Sequence, residues 1–123
     1  MAQGTRINLA DKLAAFGDHW SPKVVETVDG YDVKLVKLRG DFVWHKHDDE
    51  DELFLVLKGR FRMDFRDRQV DVATGEMIVV PKGVEHKPFA DEECEVLLLE
   101  RQGVVNTGDA APSALTRART ERI

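Results

Sequence analysis

Residues 44–52 read WHKHDDEDE, two histidines one residue apart followed by five consecutive acids. In an extended chain alternate side chains share a face. Val43, His45 and His47 then look one way, and Phe42, Trp44 and Lys46 the other. That spacing leaves the two histidine Cβ atoms roughly 6–7 Å apart, close enough for both imidazoles to converge on one ion. The next run, ELFLVLKG (52–59), keeps the period of two, with Glu52, Phe54 and Val56 on one face and Leu53, Leu55 and Leu57 on the other. A hairpin returning 52–57 beside 42–47 brings Glu52 to the same ion. Asp48, Asp49, Glu50 and Asp51 read as a solvated connection whose charge favours cation entry, in a salt-dependent way.

The same rhythm extends outward from this stretch. KVVETV, YDVKLVKLR, RFRMDFRD, QVDVAT, EMIVVP, HKPFA and CEVLLLE are short strand-like runs, parted by polar turns at 29–30, 40–41, 58–59, 66–68, 74–76 and 90–93. Eight or nine strands without intervening helices predict an antiparallel sandwich or a small barrel, and loops this short exclude parallel crossovers. One amphipathic helix is expected over about 8–17. Asn8 caps it, Leu9, Leu13 and Phe16 recur at helical spacing, and Gly17 ends it. Its apolar stripe must lie on the chain's own sheet or on a second subunit. Residues 106–123 lose the apolar rhythm and read either as a weak helix or as a docking tail.

With 123 residues, 42% hydrophobic and 33% charged, the chain suits one soluble domain. It has a formal charge of −5, which does not attract a polyanion, and it carries no nucleic-acid-binding motif. The start, MAQGTRINLA, is not leader-like and no apolar run reaches membrane-span length, so a cytoplasmic protein is the default expectation. The single cysteine, Cys94, lies in an alternating run, ECEVLLL, and reads as a buried, inert thiol.

A second stretch completes the constellation. GEMIVVPKGVEHKPFA (75–90) sets a turn glycine, a hydrophobic run and a PKG corner before His86. Pro81 fixes one backbone angle and Gly83 permits a tight bend. A strand starting at His86 can lie alongside the other two. Together, 40–59 and 75–90 resemble the two signatures of the cupin superfamily. The match rests on His45, His47, Glu52 and His86 as ligands, with Gly59, Gly75, Pro81 and Gly83. It departs in a Gly40–His45 gap one residue short of the commonest pattern and in Ala90, where asparagine is frequent. The resemblance implies an all-β fold, a conical antiparallel β-barrel of the jelly-roll kind over about 24–101, with the short N-terminal helix and the 106–123 extension as additions to a single domain 1–123. It also implies one divalent metal in the mouth and frequent dimerisation.

Three imidazoles and a carboxylate suit Fe, Mn, Ni, Co, Zn or Cu, with no thiolate to select a soft ion. If the ion takes five or six ligands, one or two positions stay open to a small-molecule ligand. A small metal-dependent enzyme follows, either an isomerase of a sugar or sugar phosphate or a dioxygenase-type enzyme, acting through Lewis acidity or dioxygen activation. The alternative is a non-catalytic binding or sensing domain, because no separate general base stands out. Glu52 itself is the candidate proton acceptor, and Glu100 or Arg101, ending the last strand, can point into the mouth. Phe54, Val56, Met63 and Phe65 read as an apolar interior wall or simply as core. The arginines at 60, 62, 66 and 68 read as an anion-binding stripe or as an outer face paired with Asp64, Asp67 and Asp71. His19 reads as a surface or packing residue. A homodimer is expected from the helix stripe, Trp20 and the family tendency.

Overall fold

The computed structural model of the chain describes residues 4–123. Helix α1 (Leu9–Ala14) is followed by β1 (Lys23–Val28), β2 (Tyr31–Asp41), β3 (Glu52–Lys58), β4 (Arg60–Phe65), β5 (Gln69–Ala73), β6 (Met77–Val80), β7 (His86–Arg101) and β8 (Glu121–Arg122). Asn8 caps α1 by accepting from the Asp11 amide at 3.0 Å. The helix stops three residues before Gly17, and a single turn and a half is held in place by Leu13 packing on Val25 and Leu35. Among the described residues no helix is long and apolar enough to cross a membrane.

The pairing does not make the expected closed conical barrel or jelly roll. The sheet is an open path, β5-β4-β7-β2-β1-β8, with β3 attached to β7 and β6 attached to β3. The cause lies in β7. Its 16 residues pair with β2 along one edge, and with β4 and then β3 in succession along the other. The sheet therefore branches at β7 instead of wrapping round to meet itself. It is also mixed, because β8 runs parallel to β1. The short-loop argument excluded that geometry, but it concerned neighbouring strands, whereas β8 is the far end of the chain returning to β1.

β7 also overrides an expected turn. Residues 91–93 stay within the strand as a bulge opposite Arg39, where the register steps from Leu38↔Cys94 to Gly40↔Ala90. The exposed acids Asp91, Glu92 and Glu93 are thereby tolerated without breaking the ladder. One face of the sheet carries the core, including Val36, Leu38, Phe54, Val56, Phe61, Met63, Val96 and Leu98. Cys94 is buried within it, and burial pushes its thiol up to about 12, as expected of an inert group.

The C-terminal segment forms no helix; it packs back on its own chain. The Ile123 amide donates to the Val24 carbonyl at 3.0 Å, and Glu121 meets the buried Lys23 ammonium at 2.9 Å. Further up, Lys46 and Asp109 are bonded in both directions, the Lys46 amide to the Asp109 carboxylate at 2.8 Å and the Asp109 amide to the Lys46 carbonyl at 3.1 Å. Gly108 makes this approach possible. Its φ is +52°, and a Cβ there would sit 2.3 Å from the Lys46 carbonyl oxygen and 3.1 Å from the His45 ring. Gly108→Ala is therefore expected to lower unfolding stability by more than about 1 kcal/mol in urea titration, while Gly17→Ala, which meets nothing within 4 Å, leaves it nearly unchanged. Equal midpoints for both variants would contradict this account of the tail.

Candidate metal centre

His45, His47, Glu52 and His86 are all buried, and one ligand atom from each lies within 4.8 Å of the others. Three different devices place them. Glu52 opens β3 and points inward with Phe54 and Val56, as alternation predicts. His86 opens β7 after a corner in which Gly83 has φ +78° and its amide donates to the His47 carbonyl at 2.8 Å. Residues 42–47 were expected to form a regular strand but form none. Among them His45 alone forms a β-bridge, a two-way bridge to His86 with N–H to carbonyl distances of 3.1 and 2.9 Å, while the Phe42 amide donates to the Pro88 carbonyl at 3.1 Å.

Phe42 departs from the expected parity and turns into the core with His45. It stacks on Trp20 at 4.7 Å between centroids and meets the His45 ring edge-on at 5.3 Å. Of the acidic run, Glu52 turns inward. Asp48 pairs with Lys46, and Asp51 accepts from the Lys82 amide at 2.9 Å, tying the connection to the PKG corner.

The rings are oriented from behind. His45 Nδ1 donates to the Val43 carbonyl at 2.8 Å and His86 Nδ1 to the Val84 carbonyl at 2.9 Å. Each bond leaves Nε2 as the bare nitrogen, free to ligate an ion. The bare atoms have nothing to bond: His47 Nε2, His86 Nε2 and Glu52 Oε1 are buried without a hydrogen-bond partner, with the glutamate oxygen 3.5 Å from each nitrogen. Orphaned buried polar atoms are costly. Two donors about 2.1 Å from one ion stand no more than about 4.2 Å apart, so a cluster whose ligand atoms lie within 4.8 Å of one another can hold a divalent metal after a modest closing.

Electrostatics prepare the same atoms for an ion. Burial, then the neighbouring His86 charge, lowers the His45 imidazole to about 4, keeping it neutral and ligand-ready. Burial opposes ionisation of Glu52, but the imidazoles of His47 and His86, each 3.5 Å from its Oε1, outweigh it and hold the carboxyl well below its usual range. Glu100 moves the opposite way, raised by burial and by the Glu52 charge beside it, although Lys34 at 2.7 Å opposes the shift.

Beside the cluster lies a small cavity walled by Trp20, Leu38, Phe42, Phe54 and Leu98, into which His45, Glu52 and Glu100 open. Of the four residues expected as an apolar wall, Phe54 takes that place, and Val56, Met63 and Phe65 belong to the core. Glu100 points inward, whereas Arg101 is exposed and lies over the Tyr31 ring. Trp20, Asn106 and Lys34 were not anticipated. Lys34 carried a signal, since it alternates with Asp32, Val36 and Leu38 on the face that Glu100 of the neighbouring strand shares; Trp20 and Asn106 carried none, because long-range folding brings them in.

The other polar residues lie elsewhere. His19 bonds Glu93 at 2.8 Å on the surface. Arg62 pairs with Asp64 and Arg68 with Asp67, each close in sequence and not across the hairpin, and Arg66 reaches Glu85 while stacking on Trp44.

Residues 31–100 match the family model described as the Cupin domain. A crystal structure of a cupin-2 domain containing protein from Shewanella frigidimarina NCIMB 400 is 49% identical with a TM-score of 0.77, covering 78% of this chain and 94% of that one. A second, from Neisseria meningitidis, is 36% identical with a TM-score of 0.74, covering 80% of this chain and 100% of that one. The uncharacterized protein YdbB of Bacillus subtilis (strain 168) is 36% identical over 64 residues, which are 51% of this chain and 57% of YdbB. The chain thus spans little more than half the length of that curated relative.

Two outcomes test the centre. His47→Ala or His86→Ala is expected to weaken divalent-ion retention by more than the roughly 10–100-fold typical of groups behind a ligand, read as ions per chain after dialysis; ion content equal to the wild type rejects them as ligands. In chelator-treated protein, His45 stays neutral when folded and protonates first when unfolded. Its contribution is whole above pH 6.5 and is lost as pH falls toward 4, up to about 3 kcal/mol. Denaturant titrations of wild type and His45→Asn at pH 7 and pH 4.5 check this, with a smaller acid loss expected in the variant.

Proposed function

The chain belongs to the cupin domain family, and from that premise we propose that it is a small metal-dependent enzyme acting on a small molecule. The observation that carries this reading is the set of partnerless, buried ligand atoms on His47, Glu52 and His86, beside an apolar cavity that His45 and Glu52 line. A site built only for structure would enclose its ion with all four donors, whereas here a second buried carboxylate and an apolar wall adjoin the donors and leave room for a further ligand.

His45, His47, Glu52 and His86 would hold one divalent transition ion of the Fe, Mn, Ni, Co, Zn or Cu group. When bound, such an ion supplies Lewis acidity to a substrate oxygen, or a platform for dioxygen. The chain's own part is to orient the substrate against Trp20, Phe42 and Phe54, to exclude bulk water, and to hold a proton. Glu52 is the carboxylate we assign to accept it, because it is the ligand-set carboxylate that lines the cavity. An isomerase of a sugar or sugar phosphate and a dioxygenase-type enzyme are the two reactions this arrangement serves. A binding or sensing domain, with the same ion and no turnover, is the other reading.

We also propose a homodimer. Met77 and Val79 are 61% and 46% exposed, and the register sets them beside Leu55 and Leu53, which lie opposite Leu97 and Leu99. That apolar outer face continues beyond the patch covered by α1.

Reconstitution with each of the six ions in turn, followed by assays of oxygen uptake and of aldose–ketose interconversion, tests the enzymatic reading. Oxygen uptake marks the dioxygenase, interconversion the isomerase, and ligand binding without turnover under any ion overturns catalysis in favour of sensing. Sedimentation equilibrium is expected to give twice the 13.9 kDa chain mass and to shift toward the monomer in Met77→Lys/Val79→Lys; a monomeric wild type contradicts the dimer.

A further inference from the structure

The cavity beside the metal cluster is lined by a second buried carboxyl group, Glu100, which lies against Glu52 but is outside the ligand set. Glu100 is 2% exposed. Its Oε1 accepts from the buried Lys34 ammonium at 2.7 Å, and its Oε2 is buried with no hydrogen-bond partner. The cavity's other polar group outside the cluster is fully engaged. Asn106 donates to the Trp20 and Leu115 carbonyls at 3.0 and 2.8 Å and accepts from the Arg117 amide at 2.7 Å.

Size and charge narrow what completes that oxygen. The cavity is about 30 Å³, room for about two water-sized groups, so only a short end of a ligand enters. Among the described residues no lysine or arginine lines it, and the nearest buried ammonium, Lys34, is held by Glu100. A carboxylate or phosphate entering there would add negative charge beside two buried carboxyl groups and find no cation other than the ion itself. A hydroxyl both donates and accepts, so it satisfies Oε2 whether or not that carboxyl carries a proton, and its neutral body suits the aromatic and aliphatic walls.

We propose that Glu100 is a substrate-contacting residue, and that the site takes a small uncharged molecule bearing a hydroxyl next to its metal-binding oxygen, and not a phosphate or an organic acid. This deepens the metal-site reading above and rests on it. It removes sugar phosphates from the substrates considered there and leaves neutral hydroxycarbonyls, enediols and phenols. Lys34 is a positioning residue, fixing Oε1 so that Oε2 faces the cavity.

Cobalt(II)-loaded protein tests this, because its visible spectrum reports ligands entering the coordination sphere. Three probes of similar size separate the chemistries: hydroxyacetone (neutral, with a hydroxyl beside its carbonyl), methoxyacetone (that hydroxyl capped) and pyruvate (an anion). Hydroxyacetone is expected to shift the spectrum with an affinity about tenfold above the other two, the effect of one hydrogen bond to a charged group. Glu100→Leu alone strands a buried ammonium, so the informative variant is Lys34→Met/Glu100→Leu, which removes both members of the pair, with Glu100→Gln beside it. In the double variant the tenfold preference disappears while the cobalt dissociation constant stays within about threefold, less than a factor-of-ten energy step.

A preference that survives in the double variant overturns the proposal, as does tighter binding of pyruvate, or no spectral shift with any probe. Loss of cobalt affinity in Glu100→Gln with the probe order intact also overturns it, because Glu100 would then serve only to support Glu52. Failure of the wild type to take up cobalt at all is a separate result: it strikes the metal centre itself, before any probe is added.

Discussion

The two-way backbone bridge between His45 and His86 is the constraint on which the site depends. Residues directly opposite in an antiparallel pair send their side chains to the same face, so the bridge commits both rings to one side and sets their centroids 4.2 Å apart. On the His45 side it does so outside any regular strand, at the point where the chain has left β2 and has not yet reached β3. Everything nearby reinforces it. The Gly83 amide holds the His47 carbonyl, Asp51 holds the Lys82 amide, and Asp109 clasps Lys46 from the far side. Bonds to the backbone, from backbone and carboxylate partners alike, thus hold the cluster open with its ligand atoms bare.

That arrangement runs against stability. An apolar replacement of buried ionisable groups is often neutral or stabilising, yet this sheet buries Glu52, Glu100, Lys34 and three histidines among aromatic and aliphatic side chains. The Lys34–Glu100 pair satisfies one carboxylate oxygen and leaves the other facing the cavity, while the cluster leaves its own atoms unsatisfied. Local rules are broken together, in one place, against a core that elsewhere obeys them, which is the pattern of a site kept for binding. Trp20 belongs to the same pattern. It takes a left-handed φ of 59°, and its indole is held by the Arg39 carbonyl at 2.7 Å as it stacks on Phe42. A non-glycine residue in that conformation is strained unless its surroundings fix it, and here both ends of the indole are fixed.

Much of this was legible in advance, and the misses share one cause. The inward face of β3, the burial of Cys94 and the singling out of Glu52 from five acids all follow from a period of two, a property of the extended chain itself. The turn expected at 90–93 did not form because β7 absorbed the acids in a bulge against β2, a choice made by the partner strand. Phe42 left its expected face because Trp20 was there to stack on it. Helix α1 stopped at Ala14 because only the stretch resting on Val25 and Leu35 is supported by packing.

Residue types and their spacing alone therefore determined which side chains form the candidate ligand set, and that they lie on extended segments divided by tight corners. These are local properties, carried by alternation, by proline and glycine, and by the chemistry of imidazole and carboxylate. Closure, branching and cavity shape were decided only by the tertiary structure. Whether a sheet meets itself depends on how many partners one long strand accepts, and β7 accepts three. Which residues wall the site depends on segments far apart in the chain, the loop at Trp20 and the returning tail at Asn106, meeting where no periodicity connects them.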